Sequence, residues 1–145
     1  LKLMIGVNKM KAVLINPKLR KIKEIEYSGD YQDIQKLTEC STFTAVYPFD
    51  NQDTIYLDDE GLLKESNYCF TFKYDNGYVQ PLMGNALVIG ANEEGESISY
   101  KTPITEIKNR IVFKGHQEII MASDGIKLNP LPTIINDEDL AFFKV

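Results

Sequence analysis

The histidine and cysteine side chains are the residues of this chain that could act as a base or a nucleophile. His116 is the only histidine, so any Ser-His-Asp or Cys-His chemistry must use it, with Cys40 or Cys69 as a partner that folding would have to bring close. The sequence contains neither a GxSxG motif nor a cysteine-protease signature. We therefore assign no catalytic residue, and an enzyme that uses His116 is the third of three functional hypotheses.

Metal and phosphate sites have no recognisable pattern in the sequence. The cysteines lack a CxxC spacing and nearby histidines, which predicts reduced thiols and no zinc site. Acidic residues cluster at 58–60 and again at Glu93, Glu94 and Glu96, but not with the spacing of an EF-hand loop, so we expect solvated turns. No glycine cluster matches GxxxxGK[ST] or GxGxxG. We therefore expect no metal and no cofactor.

Aromatic residues alternate along one stretch of the chain, at Tyr68, Phe70, Phe72 and Tyr74. An alternating row on one side of a strand can stack nucleic-acid bases, but it can equally pack a core. Because the stretch has no basic residue besides Lys73, core packing is favoured over a stacking platform. If the stretch instead lines a ligand pocket together with the GNALVIG strand, we expect the ligand-binding residues to be Tyr68, Phe70, Phe72, Tyr78 and Asn85.

The first sixty residues predict two hairpins and a short helix. Residues 11–16 (KAVLIN) form a buried strand, and residues 20–27 return beside it as a half-exposed strand. An aspartate that is a good N-cap begins a helix over about 30–38. Residues 42–49 and 54–57 are rich in β-branched and aromatic side chains and flank a run of turn formers, which predicts the second hairpin.

A third hairpin, a central strand and a second helix are predicted next. Residues 68–74 lead through an Asn-Gly turn to residues 78–82. Residues 86–89 (ALVI) are among the most apolar in the chain and indicate a central strand. A threonine cap, a proline and isoleucines at three- and four-residue spacing predict a helix over about 103–112.

The final part of the chain carries weaker patterns. His116 is expected in a loop, followed by a strand at 118–122. Two prolines predict an extended segment over 129–136, and residues 137–143 predict a last helical turn. Together the elements predict an α+β fold, mainly an antiparallel sheet built of hairpins with two short helices.

The length and composition are those of one ordinary folded domain. The chain has 145 residues, of which 43% are hydrophobic and 26% charged. Residues 1–9 do not resemble the rest, so we expect them to be an extension in front of a single α+β domain at 10–145. The apolar stretches are far shorter than a membrane span, and no signal peptide is visible. These features predict a cytoplasmic protein with no membrane association.

The net charge of −5 is unevenly distributed along the chain. Residues 1–36 carry eight basic and four acidic residues, whereas residues 37–145 carry eight basic and seventeen acidic residues. The acidic bulk argues against nucleic-acid binding, because duplex binders usually present a basic stripe. A local basic patch remains around Lys18, Arg20, Lys21 and Lys23.

Four segments resemble a family of small uncharacterised proteins carried largely by phages, plasmids and bacterial genomes. They are MKAVLINP, KIKEIEY, IYLDDEGLL and PLMGNALVIGANEEGE, within residues 10–97. Members of that family begin with MKAxxI(N/D)P and carry a (Y/V)(V/L)(D/N)EEG segment midway. In many of them the region that corresponds to residues 63–81 is a small helix-like stretch, whereas here it predicts an aromatic hairpin. The resemblance implies an accessory protein of a mobile element in a bacterial cytoplasm, and it transfers no activity.

Three functions remain open from these observations. The leading hypothesis is a non-enzymatic accessory or interaction protein that binds an unknown protein partner through an acidic surface. The alternative is a small-ligand or nucleotide-binding module, with a pocket between the aromatic strand and the GNALVIG strand. The enzyme using His116 comes third. The sequence leaves the oligomeric state open.

Overall fold

The computed structural model describes residues 9–132 and shows a strand-rich α+β fold with two antiparallel sheets and two short helices. No helix in this part of the chain has the length and apolar character needed to cross a bilayer. A 3-10 turn lies at Gly61–Leu63. The elements in chain order are β1 Met10–Asn16, β2 Lys21–Tyr27, α1 Tyr31–Leu37, β3 Phe43–Val46, β4 Thr54–Asp58, β5 Ser66–Lys73, β6 Val79–Met83, β7 Ala86–Ala91, β8 Ser97–Ile98, α2 Ile104–Asn109, β9 Ile111–Ala122 and β10 Gly125–Pro130.

The first sheet has the strand order β2-β1-β7-β4-β3, and the short β8 pairs with the end of β7. Strand β7 lies in the middle, between β1 and β4, and its residues Ala86 to Gly90 are buried. A strand that is covered on both faces has no solvent-facing side chains, which explains its continuous apolar sequence.

The second sheet has the order β10-β9-β5-β6. Strands β5 and β9 pair in register except at one β-bulge, where Lys114 is the extra residue between the pairs Cys69–Gly115 and Phe70–Phe113. Gly115 has φ +76 there, a conformation that favours glycine.

The two sheets pack face to face, and helix α1 covers the far face of the first sheet. Between the sheets, Val13, Ile55 and Val88 of the first sheet belong to one core cluster with Phe70 and Phe72 of the second. On the far face, a second cluster joins α1 to strands β1, β2 and β7 through apolar side chains. The fold thus has three layers, and its two cores account for most of the buried apolar residues in the described chain.

The predicted hairpins are confirmed at β1–β2, β3–β4 and β5–β6, as are the central strand β7 and helix α1. Asp30 caps α1 as expected, because its carboxylate accepts the backbone N–H of Gln32. The α+β class holds at this level, although the fold contains more strand than the prediction suggested.

The second helix was predicted too long and with the wrong cap. Helix α2 spans Ile104–Asn109, and Ile111 begins strand β9 because it pairs with Phe72 of β5. Thr102 does not cap the helix. Its hydroxyl donates to the Asp53 carboxylate instead.

The end of the described chain also differs from the prediction. His116 lies in strand β9, which runs without interruption from Ile111 to Ala122, and not in a loop. Residues 125–130 form strand β10. The extended segment predicted beyond residue 132, the helical turn at 137–143 and residues 1–8 of the predicted extension lie outside the described residues.

Candidate functional site

A cleft of about 310 Å³ opens at one end of the two sheets. Its walls are the β1–β2 turn, the end of α1, the β6–β7 turn and the first residues of β5. These segments are far apart in the sequence, and the antiparallel order of the strands brings them together at this end. The size is at the lower limit of pockets that hold small molecules.

Tyr68 lines one side of the cleft and stacks on His116. The rings of Tyr68 and His116 lie 4.7 Å apart and almost parallel, because the two residues pair directly across β5 and β9. The Nε2 atom of His116 lies 2.9 Å from the Ser66 hydroxyl oxygen. Lys18 Nζ lies over the Tyr68 ring, 6.0 Å from its centroid. The pairing of β5 with β9 thereby positions the two rings, and the Lys18 ammonium lies over the Tyr68 ring.

Amide side chains form the neighbouring wall. The Nδ2 atom of Asn85 donates to the Leu37 carbonyl at 3.3 Å and to the Glu39 carboxylate at 3.2 Å, which ties the β6–β7 turn to the end of α1. Asn16 accepts the backbone N–H of Leu19 in the β1–β2 turn. In residues 9–132, Asn85 Oδ1 and Asn16 Nδ2 have no hydrogen-bond partner, so each can bind a ligand.

A partly buried ion pair lines the cleft, in which the Lys64 side chain is 50% exposed. Asp58 has a side chain only 8% exposed, and its carboxylate lies 3.2 Å from Lys64 Nζ. A shallower hollow continues from this pair to Cys40. Burial raises the pKa of the Cys40 thiol above its usual value, so the thiol is protonated at neutral pH.

The structure brings together two of the five predicted ligand-binding residues. Tyr68 and Asn85 both line the cleft. Phe70 and Phe72 are fully buried in the core between the sheets and present no surface to a ligand. Tyr78 is exposed and packs edge-on against Tyr74, away from the cleft residues. The alternating aromatic residues of β5 therefore mainly pack the core, and Tyr68 is the one that lines the cleft.

Other cleft residues were not among those predicted to bind a ligand. The sequence hypotheses place Lys18 only in a basic patch and do not include Asn16 or Asn67. A polar side chain at the end of a buried strand, as at Asn16, is the signal that could have indicated it. His116 was considered only as a catalytic residue. Within residues 9–132 its one side-chain hydrogen bond is to Ser66.

The remaining candidates do not assemble into a reactive centre. Cys69 is buried on the opposite face of β5 from Tyr68, and burial raises the pKa of its thiol. Glu93, Glu94 and Glu96 are exposed in a turn organised by Asn92, which accepts the N–H of Glu94 and of Glu96. The described part of the chain contains no cluster of three histidine, cysteine or acidic side chains placed to hold a metal.

Comparison with known families gives one match. A family model described as a domain of unknown function (DUF3846) matches residues 10–111. The match confirms the coarser form of the resemblance, a family without an assigned activity. It includes all the residues that line the cleft, from Asn16 to Asn85, whereas Lys114 and His116 lie beyond it. Comparison with curated proteins gives no match, and comparison with solved structures gives none.

Proposed function

Since the chain belongs to the DUF3846 family, a domain of unknown function, we propose a function from the geometry of the cleft: the domain binds a small planar ligand against the ring of Tyr68. This corresponds to the small-ligand or nucleotide-binding module among the hypotheses drawn from the sequence. The observation that carries the proposal is the Tyr68–His116 stack, with amide side chains on the adjoining wall.

The stack supports a planar ligand for an energetic reason. Lys18 Nζ lies over a face of the Tyr68 ring, 6.0 Å from its centroid, and Lys18 is an exposed residue whose side chain can move. A planar ring can replace the lysine ammonium over that face. Stacking of one base on one aromatic side chain contributes about 1–3 kcal/mol. Asn85 and Asn16 supply the hydrogen-bonding atoms that orient such a ring.

The test is binding of nucleosides and nucleotides by isothermal titration calorimetry to the wild-type chain and to Tyr68→Ala. We expect at least one member of the panel to bind, and Tyr68→Ala to weaken its binding about tenfold or more, in line with the loss of one stacking contact. Tyr47→Ala is the matched control, because Tyr47 is 71% exposed and does not line the cleft.

Two results would contradict the proposal. One is that no member of the panel binds the wild-type chain. The other is that Tyr68→Ala and Tyr47→Ala bind equally well. A circular-dichroism melt of each variant separates a loss of binding from a loss of folding, and Tyr68→Phe, which keeps the ring, should bind like wild type.

A second candidate is the interaction protein, an accessory of a phage or other mobile element that binds a protein partner. The net charge of −5 supports a basic partner. Apolar side chains also lie exposed on the outer face of the second sheet, at Val79, Val112, Met121 and Ile126. Tyr68→Ala distinguishes the two candidates, because it leaves that face unchanged.

A further inference from the structure

Two basic side chains converge on the Tyr68–His116 stack from the β1–β2 turn. Lys18 lies over Tyr68, and Arg20 Nη2 lies 3.5 Å from the point where a Cβ on Gly115 would stand. Gly115 is the residue just before His116, so the Arg20 guanidinium lies against the backbone beside the stack. Both residues are exposed, and within residues 9–132 neither has an ion-pair partner.

The β1–β2 turn sets the course of the backbone at Arg20. Arg20 has φ +54, a left-handed conformation that is uncommon for a residue with a side chain. It directs the chain from the turn into β2 while the guanidinium reaches across to the second sheet. The guanidinium meets the β9 bulge at Gly115, where even a Cβ would stand at ordinary van der Waals distance from it. Lys114, the extra residue of the bulge, is a further exposed cation on the same strand.

The two acidic side chains that line the cleft each have a polar partner. Asp58 is paired with Lys64, and the Glu39 carboxylate accepts a hydrogen bond from Asn85. Lys18 lines the cleft and Arg20 lies beside it at Gly115, and within residues 9–132 neither cation has an ion-pair partner. Lysine ammonium and arginine guanidinium are the protein groups that most often bind phosphate oxygens.

We infer that the ligand of this cleft is a nucleotide, with its base stacked on Tyr68 and its phosphate bound by Lys18 and Arg20. The inference rests on the proposed function and specifies its ligand class. On binding, the base takes the position over the ring that the Lys18 ammonium now occupies, and Lys18 turns to the phosphate. No bond is made or broken.

The test compares adenosine, adenosine monophosphate and inorganic phosphate by titration calorimetry at low and high salt. We expect the monophosphate to bind about tenfold or more tightly than adenosine at low salt, with a smaller advantage at high salt, because phosphate contacts are charge-assisted. In a Lys18→Gln/Arg20→Asn variant the monophosphate should bind like adenosine. Asparagine is chosen because it tolerates the left-handed conformation at position 20.

Lys23→Gln is the matched control, since Lys23 is exposed on β2 and does not line the cleft. Equal binding of adenosine and the monophosphate would overturn the inference and leave the proposed function standing. The inference would also fail if Lys18→Gln/Arg20→Asn kept the preference for the monophosphate. If inorganic phosphate binds as tightly as the monophosphate and Tyr68→Ala has no effect, both the inference and the proposed function fail.

Discussion

At the residue scale, the most constrained polar group is the carboxylate of Asp53. It is fully buried, and within residues 9–132 it has no ion-pair partner. Its oxygens instead accept the backbone N–H groups of Lys101 and Thr102 and the Thr102 hydroxyl, at 2.7–3.0 Å. A buried charge is tolerated only when such donors replace its water shell. Asp53 thereby anchors the segment before α2 to the β3–β4 connection.

Asp53→Asn should destabilise the fold by about 2 kcal/mol, because the new amide group faces donors that then lack an acceptor. Urea unfolding followed by circular dichroism measures the change. The neighbouring Asp50→Asn is the control, since Asp50 is exposed and should change stability by less than about 0.5 kcal/mol. Similar losses for both variants would show that the anchor is not important for stability.

At the element scale, strand β7 and the segment that follows β8 approach each other very closely. A Cβ placed on Gly90 would stand 2.3 Å from the carbonyl oxygen of Ser99 and 2.9 Å from its carbonyl carbon. Both are backbone atoms, which cannot rotate away as a side chain can. The close approach lets Tyr100 N–H reach the Lys11 carbonyl of β1 at 3.1 Å. Gly90 is therefore required by packing and not by its φ angle.

Gly90→Ala should cost about 2–3 kcal/mol of unfolding free energy, as expected when a packed backbone is forced apart. Gly95→Ala is the comparison. At Gly95 φ is +81 but open space surrounds the position, so only backbone strain of about 1 kcal/mol is expected. Chemical denaturation of both variants gives the two values. If Gly95→Ala lowers the unfolding free energy more than Gly90→Ala does, the claim that the Ser99 backbone requires a glycine at position 90 is contradicted.

At the scale of the whole molecule, a polar clamp joins the two sheets at the end opposite the cleft. Asp75, in the β5–β6 turn of the second sheet, accepts the N–H of Asp50 from the β3–β4 connection of the first sheet at 2.7 Å. It also pairs with Arg110 at the end of α2. The hydrogen bond from Asp50, and then Arg110, lower the pKa of Asp75 below its usual 3.8.

A carboxyl group with a lowered pKa in the folded state stabilises the fold above its unfolded-state pKa and loses that contribution as the pH falls through the folded value. We therefore expect Asp75→Asn to be less stable than wild type at neutral pH, and the difference to shrink between about pH 5 and pH 2. Denaturant titrations across this range measure it. Asp124→Asn, at a side chain 72% exposed, should follow wild type. If the stability difference between wild type and Asp75→Asn stays constant with pH, the stabilising role of the Asp75 carboxylate is contradicted.

The cleft could be predicted only in part. Tyr68 and Asn85 were predicted because the aromatic strand and the GNALVIG strand were expected to line one pocket, and both residues line the cleft. Phe70 and Phe72 follow the same alternation as Tyr68, and alternation cannot distinguish a residue between two sheets from one at their open edge. The contribution of His116 depends on pairing between β5 and β9, across 48 residues of sequence.

The sequence by itself determined the local elements: the three hairpins, the buried strand β7 and helix α1 follow from turn residues, an N-cap and hydrophobic period. Only the tertiary structure decided which face each strand buries, where α2 ends and which residues line the cleft. Ile111 fits a helical spacing, but pairing with Phe72 makes it the first residue of β9. The physical reason is that turns and caps act through neighbouring residues, whereas sheet order and the meeting of distant side chains depend on long-range packing.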